Sequence, residues 1–152
     1  MKSSDLTHTI SEDMPVFPGS ETPKLTTKST YEKDGFKETL LQMYSHVGTH
    51  MDPPAHIFTN QKTLDQFSPE QFIDKALVVD CRDLKEGQAI TIDKIDIDKA
   101  KLADFLLFNL GWDKRWNLDT YFNDYPCIDN TVLEFILNSN FKGIGFDVTG
   151  LE

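Results

Sequence analysis

The sequence predicts a fold of the α/β or α+β class, with a mixed β-sheet core and few helices. Helical spacing is clear in only two places, near residues 68–73 and 130–137. Short apolar runs typical of buried strands cover residues 76–81, 105–109 and 143–147. Because strands interleave with the helices and no repeat breaks the chain, we expect a single domain over residues 1–152.

The sequence of the N-terminal third of the chain predicts strands that are separated by loops, one of which is made rigid by prolines. Residues 5–10 alternate loosely between polar and apolar side chains, which favours a short strand. Prolines on both sides of Phe17 then exclude a helix. Two further strands are predicted over residues 22–31 and 38–46, joined across a turn at Gly35.

Capping signals define the two predicted helices. Residues 68–71 combine an N-cap serine, a proline at the first helical position and a capping-box glutamine, so a short helix should run to about Ile73. Asp129 precedes apolar residues spaced three and four apart, which predicts the second helix. Between the two helices, alternation predicts a strand over residues 89–92.

Composition excludes several classes of partner. The 152-residue chain has 15 basic and 25 acidic residues, for a net charge of −10, which disfavours nucleic acid and anionic membrane surfaces. Its two cysteines, Cys81 and Cys127, are far apart and are expected to be reduced thiols. No apolar run approaches the roughly 20 residues of a membrane-spanning helix, and no signal-like segment is present, so we expect a cytoplasmic protein.

Three of the four histidines fall within residues 46–56. In an extended strand, His46, His50 and Asp52 would point to one side, yet residues four apart lie roughly 13 Å apart. Donor atoms of a single metal ion must each lie about 2 Å from it. The chain must therefore bend, and Gly48 is the residue that permits the unusual backbone angles.

The donor chemistry of this segment indicates a catalytic metal site. Two imidazoles and a carboxylate, from His46, His50 and Asp52, suit zinc, manganese or iron, and three protein ligands leave a position for water. Beyond Pro53 and Pro54, which hold the backbone rigid, His56 is placed to act as a general base.

Residues 46–56 also match every specified position of the pattern H-x-G-T-H-x-D-x-P-x-H. In this the chain resembles the cyclase superfamily, which includes bacterial kynurenine formamidase and isatin hydrolase. The resemblance runs from end to end of the chain, because further segments look like those of the family at residues 5–8, 14–19, 111–112 and 143–147.

The resemblance implies a swivelling β/β/α-like fold and an arylformamidase-like hydrolase of C–N bonds in small aromatic amides, as in tryptophan catabolism. N-formylkynurenine and cyclic amides are the candidate substrates, and zinc or manganese is the expected divalent ion. Phe17 would form an aromatic wall of the substrate site, with ordinary packing an equal alternative. Thr49 would donate a hydrogen bond to a ligand, with a structural role in the loop equally supported. His8 is expected to be an ordinary core or surface residue, and the resemblance implies the alternative of a histidine in the substrate pocket or behind the metal ligands.

Relatives in this family continue beyond the segment that matches Glu152, and there they carry a further histidine and glutamate that hold a second ion. We therefore expect either a truncated chain or one that keeps one ion at most, and two functions stay open. It is either a metal-dependent hydrolase or an impaired remnant that binds a metal or small molecule without turnover. Apolar surface left uncovered by a short chain predicts a homo-oligomer.

Overall fold

In the computed structural model, which describes residues 2–150, β-strands carry the architecture and the α-helices are few and short. The predicted α/β class with mixed sheets and few helices is confirmed. The described chain divides after Leu64 into two compact units, each with its own strands. Within residues 2–150, no helix has the length and apolar content needed to span a bilayer.

The first unit contains an antiparallel hairpin. Strand β1 (Lys24–Ser29) pairs with β2 (Glu38–Gln42), and the short helix α1 (Tyr31–Asp34) lies between them. Gly35 ends α1 in the left-handed conformation, with φ of 75°. The two predicted strands and their turn are therefore confirmed, although β2 ends four residues before His46.

The strand predicted over residues 5–10 is wrong, because this segment has no regular structure. Side chains, rather than a partner strand, accept hydrogen bonds from its backbone. The Thr7 amide donates to Asp5 Oδ1 at 2.9 Å, and the His8 amide donates to Thr49 Oγ1 at 3.1 Å. Loose alternation alone did not distinguish this arrangement from a strand.

The second unit contains two parallel sheets. The strands of this unit are β3 (Ala76–Asp80), β4 (Ala89–Ile90), β5 (Phe105–Asn109), β6 (Cys127–Ile128) and β7 (Gly143–Phe146). One sheet has the strand order β3-β5-β7, and the other pairs β4 with β6. Its α-helices are α2 (Ile97–Ala100) and α3 (Asn130–Leu137).

Short 3₁₀ helices connect many of these elements. They cover Pro54–His56, Leu64–Gln66, Pro69–Phe72, Ile92–Lys94, Trp112–Arg115 and Asp119–Phe122. The helix predicted near residue 68 is thus a 3₁₀ turn, and Ser68 makes no side-chain cap hydrogen bond. The strand predicted over residues 89–92 ends at Ile90, because the chain turns into the next 3₁₀ helix.

Strand β5 is the central strand of the three-stranded sheet, since it pairs with both β3 and β7. Its alternate residues Leu106 and Phe108 are almost fully buried. The continuous apolar run at residues 76–81 predicts a buried, central strand, but β3 lies at the edge of the sheet and Val78 is exposed. An apolar run therefore located the strand correctly but not its position in the sheet.

Helix α3 begins as the sequence predicts. The Asp129 side chain accepts a hydrogen bond from the Val132 amide at 2.9 Å, and Val132 is fully buried. Cys81 and Cys127 are not joined in a disulfide bond, which agrees with the expected reduced thiols. Burial raises the pKa of Cys81 to about 11 and also raises that of Cys127.

Candidate metal centre

The histidine-rich segment lies in the first unit as an irregular loop that follows β2. Gly48 adopts the left-handed conformation, with φ of 67°, so the predicted bend at this residue is confirmed. Val47 is buried, whereas His46 and His50 on either side of the bend are exposed. The bend, rather than strand alternation, brings the two imidazoles together.

The three predicted ligands form a cluster of donor atoms. His46 Nδ1 lies 2.8 Å from His50 Nε2 and 3.0 Å from Asp52 Oδ1, while His50 Nε2 lies 3.5 Å from Asp52 Oδ2. One donor atom from each residue lies within 4.8 Å of the others. Among residues 2–150, this is the one such group of histidine, cysteine and carboxylate side chains.

Gly48 also sets the orientation of His50. His50 Nδ1 lies 2.8 Å from the Gly48 carbonyl oxygen. Because a carbonyl oxygen only accepts hydrogen bonds, the proton of neutral His50 must be on Nδ1. The lone pair of Nε2 then faces His46 and Asp52, which is the arrangement a metal-binding histidine requires.

The spacing of the donors fits a single metal ion. An ion with bonds of about 2.0–2.1 Å in tetrahedral geometry holds its ligand atoms about 3.3 Å apart. The two ring nitrogens lie 2.8 Å apart, and their contacts with the two oxygens of Asp52, at 3.0 Å to Oδ1 and 3.5 Å to Oδ2, are close to that value. All three side chains are partly open to water, so the site also leaves room for a non-protein ligand.

The electrostatics of the cluster favour an ionised carboxylate. Partial burial raises the pKa of Asp52. The hydrogen bond from His46 and the charges of His50, His46 and His56 lower the pKa by more than burial raises it. The net effect is a pKa below the usual value for aspartate. Asp52 is therefore a carboxylate at neutral pH, in the form that binds a cation.

His56 lies beside the cluster at the end of the 3₁₀ helix Pro54–His56. Its ring stacks on that of His46, with centroids 4.5 Å apart and planes 14° apart. His56 Nδ1 is 4.0 Å from Asp52 Oδ1, which is beyond hydrogen-bond distance. The structure thus places this histidine next to the proposed ligands, and its role as a base stays a prediction.

The two predicted substrate-binding residues lie in different settings. Thr49 follows the bend, and its hydroxyl accepts the hydrogen bond from the His8 amide, so it has a structural role in the loop. Phe17 is exposed in a turn in which its carbonyl oxygen accepts from the Ser20 amide. Contact of either residue with a substrate stays a prediction.

Two features of the site could not be found from the sequence. The carbonyl oxygen of Gly48 orients His50, and the side chain of Met14 packs against Gly48. The motif contains Gly48, but nothing in its pattern indicates that the carbonyl faces a ring nitrogen. Met14 precedes a proline in the N-terminal loop, and no spacing connects it with residue 48.

Comparison with known proteins gives relatives that match nearly the whole chain. An uncharacterized protein of Methanocaldococcus jannaschii is 30% identical over 147 residues, covering 97% of this chain and 68% of the relative. Kynurenine formamidase of Geobacillus thermodenitrificans is 24% identical over 150 residues, covering 97% of this chain and 69% of the enzyme. The chain therefore spans about two thirds of the length of each relative.

Solved structures share the fold. Isatin hydrolase A from Labrenzia aggregata superposes with a TM-score of 0.81 at 24% identity, covering 98% of this chain and 68% of that one. A protein described as a predicted metal-dependent hydrolase from Bacillus stearothermophilus gives a TM-score of 0.74 at 24% identity, covering 98% and 70% of the two chains. At this identity the likeness establishes the fold alone.

The family assignment agrees with the motif and with the fold. The sequence model described as "Putative cyclase" matches residues 4–152, which include the whole histidine-rich loop. These relatives match over 97% of the chain, and the superposed structures share its fold. This chain belongs to the cyclase family.

Proposed function

We propose that this protein is a metal-dependent hydrolase that cleaves an amide C–N bond in a small aromatic compound. The observation that carries the proposal is the cluster of His46, His50 and Asp52, whose donor atoms have the mutual spacing of ligands to one ion. Neutral imidazole and carboxylate donors without cysteine suit a zinc or manganese ion with an open position.

A bound divalent ion would lower the pKa of a water ligand and polarise the carbonyl group of the substrate. The chain supplies the other requirements. The Gly48 carbonyl oxygen holds the His50 ring so that Nε2 faces inward. Asp52 contributes the negative charge that offsets part of the charge of the cation.

His56 is the proposed general base. Its ring stacks on that of His46, and an imidazole can both accept and return a proton in a catalytic cycle. It would take the proton of the attacking water and return it to the leaving nitrogen. His56 is not part of the group of donor atoms that lie within 4.8 Å of one another.

The substrate class rests on the family. One relative is named kynurenine formamidase and one superposed structure is an isatin hydrolase, so an aryl formamide and a cyclic aryl amide are the two probes. Both contain an amide bond next to an aromatic ring. Exposed Phe17 and the hydroxyl of Thr49 are the proposed contacts for such a ring and its polar groups.

The test combines metal analysis with hydrolysis assays. The protein is stripped with a chelator, reloaded with zinc or manganese, and assayed with N-formylkynurenine and with isatin. We expect the wild-type protein to hydrolyse at least one of the two substrates in a metal-dependent reaction. The His56→Ala variant should retain its metal and lose about 100-fold or more in kcat. The His50→Ala variant should lose its bound metal. His8→Ala, a histidine outside the donor cluster, is the matched control and should keep its metal.

The outcomes separate the two functions that the sequence leaves open. Wild-type protein that binds metal but hydrolyses neither probe with either ion would favour a binding protein without turnover. Wild-type protein that binds no metal would overturn the assignment of the cluster. Full activity in His56→Ala would exclude His56 as the base.

A further inference from the structure

Met14 is one of the few side chains that are buried in the first unit. It is 3% exposed, and Val47 is the other buried hydrophobic residue among residues 2–64, apart from prolines. Both residues are part of the packing of the histidine-rich loop. Val47 belongs to the loop, and Met14 packs against Gly48. The loop with the exposed candidate ligands is therefore packed at two apolar side chains, Met14 and Val47.

The contact with Gly48 is close. A Cβ atom placed on Gly48 would lie 2.8 Å from Met14 Cε, a separation that real Cβ atoms essentially never show. The methyl group of Met14 thus fills the space that the missing side chain of Gly48 leaves. Close packing of this kind limits how far the Gly48 backbone can move.

Movement of Gly48 would affect both imidazoles. His46 precedes Gly48 by two residues and His50 follows it by two. The Gly48 carbonyl oxygen also accepts the hydrogen bond that orients His50. A shift of this peptide would therefore change both the separation of the two rings and the direction of the His50 lone pair.

We propose that Met14 is a positioning residue for the metal site, acting through its packing on Gly48. This inference rests on the proposed function, because it assigns Met14 a role at the same site. Met14 is not among the residues that offer a donor atom, so its effect would be on the affinity for the ion rather than on its coordination. Residues that orient metal ligands typically contribute 10-fold to 100-fold in affinity.

The test measures zinc affinity of the full chain by competition with a chromogenic chelator, using zinc alone as the probe. We expect Met14→Ala to bind zinc about 10-fold or more weakly than wild type. Met14→Leu, which has nearly the same volume, should restore most of the affinity. If Met14→Ala lacks a cooperative thermal transition, Met14→Val replaces it, since valine also lacks the atoms that reach Gly48.

Leu106→Ala is the control for a general loss of stability. Leu106 is fully buried in the second unit, and the substitution should lower the melting temperature but leave zinc affinity at the wild-type value. Wild-type affinity in Met14→Ala or Met14→Val would overturn the role of Met14 alone. A wild-type protein that binds no zinc would overturn both this role and the proposed function, whereas metal binding without hydrolysis would contradict only the function.

Discussion

At Gly48 the conformation of one residue determines where two imidazoles lie. Its φ of 67° is in the left-handed region, where an L side chain is strained, and its side-chain position is filled by Met14. Gly35 has a similar φ of 75°, but a Cβ atom there would meet nothing within 4 Å. Both glycines have a positive φ that strains an L side chain, but only Gly48 has a neighbouring side chain, that of Met14, where a Cβ atom would lie.

We predict that Gly48→Ala weakens zinc binding by about 10-fold to 100-fold, because a side chain is strained at this φ and the strain displaces the peptide that orients His50. Chelator competition measures the affinity. Gly35→Ala is the matched control, with a cost of about 1–2 kcal/mol in the free energy of unfolding and unchanged zinc affinity. Equal loss of affinity in the two variants would show that a general loss of folding, rather than a change at Gly48, is responsible.

At the scale of elements, Asp147 joins the ends of two neighbouring strands. It follows β7, and its Oδ1 accepts from the Leu110 amide while its Oδ2 accepts from the Trp112 amide, both at 2.8 Å. These amides belong to the turn that follows β5. The Trp112 indole in turn donates to the Tyr121 carbonyl oxygen at 2.9 Å, so one carboxylate supports a buried turn.

We predict that Asp147→Asn lowers the free energy of unfolding by about 1–3 kcal/mol. An amide side chain has only one accepting oxygen, so one backbone N–H of the buried turn is left without its partner. Urea unfolding measures the change, and the slope with denaturant should stay the same.

The matched control for Asp147 is Asp98→Asn. The Asp98 side chain is 97% exposed and lies 3.6 Å from Lys101, so its substitution should leave the urea midpoint unchanged. Equal midpoints for Asp147→Asn and wild type would show that the paired acceptor contributes nothing to stability.

At the scale of the whole molecule, the β1–β2 hairpin exposes large apolar side chains that a second protein surface could cover. Leu40 and Leu41 point to opposite faces of β2, yet each is 48% exposed. A two-stranded hairpin with both faces in water is marginally stable. We propose that a second copy of the chain covers part of this surface, which makes the protein a homo-oligomer.

We predict a dimer or larger assembly by light scattering for the wild-type protein, because association removes exposed leucine side chains from water. Leu40→Glu should shift the mass toward that of the monomer. Leu102→Glu, at an exposed position in the second unit, should leave the mass unchanged. A monomeric wild-type protein at the concentration used for assays would exclude the proposed assembly.

Strong local signals predicted much of the fold. The apolar runs located β3, β5 and β7 to within about a residue, and Asp129 correctly marked the start of α3. Weak alternation failed over residues 5–10, where side-chain hydrogen bonds replace strand pairing. The extent of one domain over residues 1–152 and the substrate roles of Phe17 and Thr49 stay predictions.

The sequence by itself determined the candidate donor residues, the need for a bend at Gly48 and the family, because these depend on residue type and on spacing along a short segment. Only the tertiary structure decided that His50 is oriented by the Gly48 carbonyl oxygen, that Met14 fills the space at Gly48 and that β5 is the central strand. These features depend on backbone direction and on packing between residues far apart in the chain, which no local pattern of side chains specifies.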